Sequence, residues 1–96
     1  MPKAIWNGVV IAEAPADAVE ILEGNVYFPT EAVNPDCLQE SEHHSICPWK
    51  GTANYHHVAA GGKVNANAAW FYPEPKEAAK NIAGRIAFWR GVEIVP

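Results

Sequence analysis

The chain has 96 residues, 49% of them hydrophobic and 19% charged, with a formal net charge of -4. This length and composition predict one soluble globular domain over residues 1–96 with a modest core. The negative balance and the scattered Lys and Arg residues argue against nucleic acid or an anionic membrane as partner, because both bind clustered positive charge.

A cytoplasmic location is also predicted. No apolar run is long enough to span a bilayer, and the first residues, MPKAIWNGVV, lack the features of a signal peptide. In the absence of such a signal, Cys37 and Cys47 are predicted to be free thiols in a reducing compartment.

The chain begins with the pattern of a β-hairpin. Residues 3–6 and 9–14 are rich in β-branched and aromatic side chains, and Asn7-Gly8 stands between them. This dipeptide is typical of a two-residue hairpin turn, since both of its residues tolerate positive φ.

Further short strands are predicted at 18–24 and 25–29. Residues 30–39 follow as a loop with one helical turn, which Thr30 can cap and Pro35 keeps short.

The second half of the chain predicts more strands and one helix. A strand at 51–60 and a strand at 67–72 flank a Gly-Gly turn, and the first places four residues on one face: Ala53, Tyr55, His57 and Ala59. The segment 74–84 has the pattern of a helix with an apolar stripe, and 85–89 with 92–95 predict a last hairpin. About eight strands and one helix indicate a mainly β fold: a small antiparallel fold with one short helix near the C-terminus.

The segment HHSICPWKGTANYHH, residues 43–57, is the main candidate for a functional site. It contains every histidine of the chain, and Lys50 within it is the only Lys or Arg between Lys3 and Lys63. A lysine beside a tryptophan and a glycine suits a carboxylate or phosphate ligand. The alternative is an ordinary lysine paired with Glu40 or Glu42, which fall in a polar stretch predicted to be a solvated loop.

Catalysis and metal binding are alternatives for the same segment. Cys47, His44 and Lys50 are the candidate catalytic residues, because a cation or a histidine can activate a thiol. His44, Cys47 and His57 could in principle hold zinc, but no Cys-x-x-Cys pair is present, so no metal and no cofactor are predicted.

Aromatic residues of the neighbouring strands complete the candidate pocket. Trp70 and Tyr72 share one face of their strand, and Tyr55 lies opposite them if the strands pair across the Gly61-Gly62 turn. The alternative is a hydrophobic core, where such aromatic pairs are found more often than in ligand sites.

Several blocks of the sequence resemble the "domain of unknown function 427" family: NGVVIAEA, YFPTEAV, SICPWKGTANYHHV and AAWFYPEPKEAAKNIAGRIAFW. The pattern Cys-Pro-aromatic-Lys-Gly-x-Ala-x-Tyr runs from Cys47 to Tyr55, and Trp-x-Tyr-Pro runs from Trp70 to Pro73. The resemblance covers nearly the whole chain. It implies a β-tent-like fold, similar in shape to zinc-carrying domains whose paired cysteine ligands are absent here.

Labels of the nucleotidyltransferase type have been attached to that family, but the residues give them no support. The chain has only two aspartates, Asp17 and Asp36, and no Gly-Ser loop. A polymerase-like transferase needs close carboxylates for Mg²⁺.

These observations predict a domain that binds a small anionic molecule in an aromatic-lined pocket at Lys50. The predicted ligand-binding residues are Cys47, Trp49, Lys50, Gly51, Tyr55, His57, Trp70 and Tyr72. The alternatives are an enzyme using Cys47 or a histidine with Lys50 on a nucleotide or acyl substrate, and a structural or adaptor β domain.

Overall fold

The structure, a computed structural model, describes residues 1–96 and contains nine strands. They are β1 Lys3–Trp6, β2 Val9–Glu13, β3 Glu20–Leu22, β4 Asn25–Pro29, β5 Leu38–Cys47, β6 Gly51–Ala60, β7 Lys63–Phe71, β8 Arg85–Phe88 and β9 Glu93–Val95. Every pairing is antiparallel, which confirms the predicted mainly β, antiparallel fold.

The strands form two sheets. A three-stranded sheet has the order β2-β1-β9, and a six-stranded sheet has the order β3-β4-β8-β7-β6-β5. The predicted β1–β2 hairpin is confirmed, with Asn7 and Gly8 at positive φ. The predicted last hairpin is wrong, because β8 pairs with β4 and β7 whereas β9 pairs with β1 in the other sheet.

All helical segments are short 3-10 turns, and none could cross a bilayer as a helix. They span Ala16–Ala18, Thr30–Ala32, Pro35–Cys37 and Glu77–Ile82. The last is the predicted C-terminal helix, shorter than the predicted 74–84; only Ala79 and Ile82 of its apolar residues are buried, at the three-residue spacing of a 3-10 turn. Thr30 does not cap a helix, because its hydroxyl donates to the Gly84 carbonyl.

The polar stretch predicted as a loop around Glu40 and Glu42 is part of β5, a ten-residue edge strand of the larger sheet. Its side chains are mostly exposed on both faces, so it lacks the alternation of apolar and polar residues that identifies a half-buried strand. Pairing with β6 therefore defines this strand, and hydrophobic periodicity does not.

Neighbouring residues of the larger sheet point to opposite faces. Phe28, Phe71 and Phe88 pack in or against the main core between the two sheets. The residues that precede two of them, Tyr27 and Trp70, belong instead to a second cluster with Tyr72 and Ile82 on the other face. That second face carries the candidate site.

Irregular pairing affects the strands beside β6. The register shifts between His56 and Val58 against β7, and between Glu40 and His44 against β5, and in both cases the extra residues belong to the partner strand. The two-residue period of β6 itself continues: Ala53 and Tyr55 pack in or against the second cluster, whereas Val58 and Ala60 belong to the main core.

Candidate functional site

The second face of the larger sheet holds a cavity of about 270 Å³. Its lining residues come from five strands or the turns beside them: Asn25, Lys50, Tyr55, Trp70, Tyr72 and Trp89. Tyr55 on β6 is the register partner of Trp70 on β7, as predicted, so both rings project on the same side. The fold thus brings together the turn after β5 and aromatic residues that are distant in sequence.

Lys50 is the only buried charged residue of the chain, with 8% of its surface exposed. Its ammonium makes an ion pair and hydrogen bond with Glu23. The same Nζ atom lies 5.6 Å from the ring centre of Trp49 and 5.5 Å from that of Tyr72, within cation–π range. A carboxylate and two aromatic rings therefore replace much of the water that burial removes.

These partners decide the charge of Lys50. Burial alone lowers the pKa of a lysine, because it disfavours the charged form. The hydrogen bond that the ammonium donates to Glu23, with smaller contributions from Tyr27, Tyr72 and the charge of Glu23, outweighs that effect, and the pKa of Lys50 lies above its ordinary value. Lys50 is therefore a cation at physiological pH.

The predicted pairing of Lys50 with Glu40 or Glu42 is wrong. Glu23 occupies the turn between β3 and β4, with φ 54°, and is followed by Gly24 at φ 78°. Both values are typical of a two-residue hairpin turn, and the closed hairpin directs the Glu23 carboxylate to Lys50. Sequence distance misled the prediction, because Glu23 and Lys50 are 27 positions apart.

The turn that carries Lys50 is fixed from behind by the segment after β7. The backbone amide of Lys76 donates to the Lys50 carbonyl at 2.8 Å, and the Lys76 Nζ donates to the Pro48 carbonyl at 2.7 Å. Gly51 has φ 118°, and a Cβ there would lie 3.3 Å from the Glu74 carbonyl oxygen. Gly51 therefore allows close backbone packing, which explains the glycine without a ligand.

Two buried tyrosines lie at the cavity, Tyr72 within its lining and Tyr27 outside it. Tyr27 is fully buried, and its hydroxyl accepts a hydrogen bond from the Trp70 indole at 3.2 Å. Burial raises the pKa of both Tyr27 and Tyr72, so each is protonated at physiological pH. The half-buried Cys47 packs against this cluster, and neither cysteine forms a disulfide, as predicted.

The histidines are distributed over β5 and β6 and contact different partners. His44 Nδ1 is 2.9 Å from the Asn54 side-chain oxygen, and the His43 ring lies 4.6 Å from the Tyr55 ring. His57 Nδ1 accepts a hydrogen bond from the backbone amide of Asn67 at 3.0 Å, and Asn67 lies within the bulge of β7. No group of three or more His, Cys, Asp or Glu residues is placed to hold a metal ion, so His44, Cys47 and His57 do not form one site.

Four of the predicted ligand-binding residues line the cavity: Lys50, Tyr55, Trp70 and Tyr72. Trp49 contacts the Lys50 ammonium, whereas Cys47, Gly51 and His57 lie outside the lining. Asn25 and Trp89 were missed. Both fall at the ends of predicted strands, 25–29 and 85–89, and only the order of strands in the sheet could place them beside Lys50.

Comparison with known proteins identifies the family. The family model described as "Domain of unknown function (DUF427)" matches residues 2–95, so the chain belongs to that family. None of the curated proteins matches the chain.

Proposed function

We propose that this member of the DUF427 family binds a small anionic ligand in the cavity lined by Lys50 and four aromatic side chains. One observation carries the proposal: Lys50 is buried and charged, and it lines a concave site whose other walls are mostly aromatic. Concave, mostly apolar sites with a few convergent polar groups are typical of small-molecule binding.

The ion pair with Glu23 is compatible with an anionic ligand. An ammonium has three N–H donors, and Glu23 contacts it through one carboxylate oxygen. The Glu23 side chain is 47% exposed, so water screens its charge. In this proposal Glu23 keeps Lys50 oriented and protonated, and a ligand oxygen accepts a second hydrogen bond from the same ammonium.

An enzyme based on Cys47 or a histidine has weaker support. Cys47 packs against the buried tyrosine cluster and does not line the cavity. Of the histidines, His43 contacts the cavity residue Tyr55, and this contact is between the two rings. A nucleophile or base would need to reach the ligand directly, within hydrogen-bond distance of the reacting atom.

The proposal is tested by incubating the full chain with a metabolite extract and identifying the retained molecules by mass spectrometry. Lys50→Met is the matched variant, because it keeps most of the buried stem and deletes the charge. We expect it to change the free energy of unfolding by no more than about 1 kcal/mol, since the half-exposed Glu23 can be hydrated once it is unpaired.

The same variant should weaken ligand binding about ten- to hundredfold, the effect of losing one charge-assisted hydrogen bond. The double variant Lys50→Met/Glu23→Gln is the control for an unpaired Glu23 charge and should bind as weakly as Lys50→Met. Retention of the same molecules at unchanged affinity by a folded Lys50→Met variant would exclude Lys50 as the anion site.

A further inference from the structure

Three of the four aromatic walls of the cavity present carbon surface, because their polar atoms are already bonded. The Trp70 indole donates to the Tyr27 hydroxyl, and the Trp89 indole donates to the Asn67 carbonyl at 2.6 Å. The Tyr55 hydroxyl is 2.8 Å from Ser45 Oγ. These bonds also fix the planes of the rings, so the walls are preorganised and offer a ligand ring faces and edges.

The ring planes suit a flat ligand. Trp70 and Trp89 are nearly perpendicular, at 75° with 5.7 Å between ring centres, whereas Tyr55 and Trp89 are inclined by 36° at 6.4 Å. These rings contact one another, so a flat ligand ring would lie over their exposed surface, where it can stack on one ring and meet the edge of another, the favoured aromatic geometries. Trp89 is still 42% exposed, and the Arg90 guanidinium lies 4.7 Å from its ring centre, so only the part of the ring that Arg90 leaves uncovered is available to a ligand.

Polar recognition is available from Lys50 and Asn25. Asn25 lines the cavity two residues after Glu23, the residue that contacts the Lys50 ammonium. Its side-chain amide can donate and accept, and Lys50 donates with a positive charge. The pair suits a planar anionic group such as a carboxylate.

We infer that the ligand is an aromatic acid with one or two rings and an anionic group directed at Lys50. This inference rests on the proposed function and adds the flat ring. The volume of about 270 Å³ supports the size, because it lies at the small end of ligand sites.

Three probes of similar size separate the two components of the inference. Benzoate has a flat ring and a charge, cyclohexanecarboxylate has the charge without the flat ring, and benzamide has the flat ring without the charge. Each is titrated into the ¹⁵N-labelled full chain, and the indole N–H signals of the four tryptophans are followed by NMR. We expect benzoate to bind about two- to tenfold more tightly than cyclohexanecarboxylate, the effect of an aromatic contact.

The outcomes distinguish the inference from the proposed function. Equal affinity for benzoate and cyclohexanecarboxylate would overturn the inference and leave the anion site standing. Equal affinity for benzoate and benzamide would overturn the anion site and leave a preference for aromatic rings. No shift of the Trp70 or Trp89 signal with benzoate would overturn the inference, and the metabolite experiment would then decide the proposed function separately.

Two tryptophan variants locate the preference. Trp89→Leu should reduce the preference for benzoate over cyclohexanecarboxylate toward one. Trp6→Leu is the control, since Trp6 packs against the main core and does not line the cavity. If Trp6→Leu removes the preference and Trp89→Leu retains it, the ring site is not the cavity and the inference fails.

Discussion

Two partly buried regions of the larger sheet shift the pKa of a basic side chain in opposite directions. On one face Lys50 is buried against Glu23, and its pKa is raised. On β6, His56 stacks on Phe71 with 4.8 Å between ring centres, and burial lowers its pKa. Its Nδ1 atom is buried without a hydrogen-bond partner.

The difference between these regions lies in the partner. Both basic groups lose water, and this loss favours the neutral form of each. Lys50 recovers the lost hydration from a carboxylate and aromatic faces, whereas Glu40 and the Gln39 backbone compensate only part of the burial of His56. The charged form is favoured here only where a carboxylate accepts a hydrogen bond from the buried base, as Glu23 does from Lys50.

Replacing Trp70 should have the largest effect on the lysine region. Trp70→Ala removes the bond to Tyr27 and a half-buried ring of the second cluster, and should cost about 3 kcal/mol of unfolding free energy. Urea denaturation measures this cost. Trp70→Phe, which keeps most of the ring, should lose less, and an Ala variant as stable as the parent would show that the cavity wall contributes nothing to the fold.

Removing the anion beside Lys50 should make the surroundings of Lys50 resemble those of His56, where no carboxylate is hydrogen-bonded to the buried base. Glu23→Gln keeps the shape of the side chain and should destabilise the protein by about 1–2 kcal/mol at neutral pH, because a buried ammonium loses its charged partner. The pKa of Lys50 should fall, which heteronuclear NMR of its side chain would detect.

The stability difference between the parent and Glu23→Gln should depend on pH in a direction set by the pKa of Lys50. The folded-state pKa of Lys50 is raised above 10.5, so its stabilisation is complete below that pH and is lost as pH rises through the folded value. The stability difference between parent and Glu23→Gln should shrink in that alkaline range. A difference that stays constant there would assign the cost to something other than the ion pair.

The histidine region should produce a smaller, acid-dependent effect. Because the pKa of His56 is lowered from 6.5, its neutral form stabilises the fold above that pH, and the contribution is lost as pH falls through the folded value. His56→Phe should abolish this loss, because phenylalanine keeps the stacking on Phe71 and does not titrate. Denaturation of parent and variant at neutral and mildly acidic pH checks it, since Glu40 and His57 remain in both.

The acidic residues first considered as partners of Lys50 should have the smallest effect. Glu42→Gln should leave both the pKa of Lys50 and the stability unchanged, within about 0.5 kcal/mol, as is usual for an exposed side chain. NMR titration of Lys50 compares it with Glu23→Gln. A fall in the Lys50 pKa in Glu42→Gln would contradict the pairing with Glu23.

Sequence patterns predicted the structural features that depend on residues close together along the chain. The Asn7-Gly8 turn, the pairing of Tyr55 with Trp70 and the short helical segment near residue 80 each follow from local conformational preference. Lys50 was recognised as unusual because of its isolation from other cations.

What the sequence did not predict depends on strand order and register. The pairing of β9 with β1, the position of Trp89 and the contact between Glu23 and Lys50 all join segments remote along the chain. The bulges in β5 and β7 add residues that no two-residue period can reveal, and the bulge in β7 brings the Asn67 backbone amide to His57.

The irregular edge strand β5 has a consequence for how the protein behaves at high concentration. A straight ten-residue edge would expose a long row of unpaired backbone groups, a template for stacking with further copies and for fibril growth. The register shift between Glu40 and His44 breaks that row into two short lengths, and charged Glu40 and Glu42 lie within or beside it. The shortened regular edge and its carboxylates are thus features that disfavour pairing with further copies of the chain.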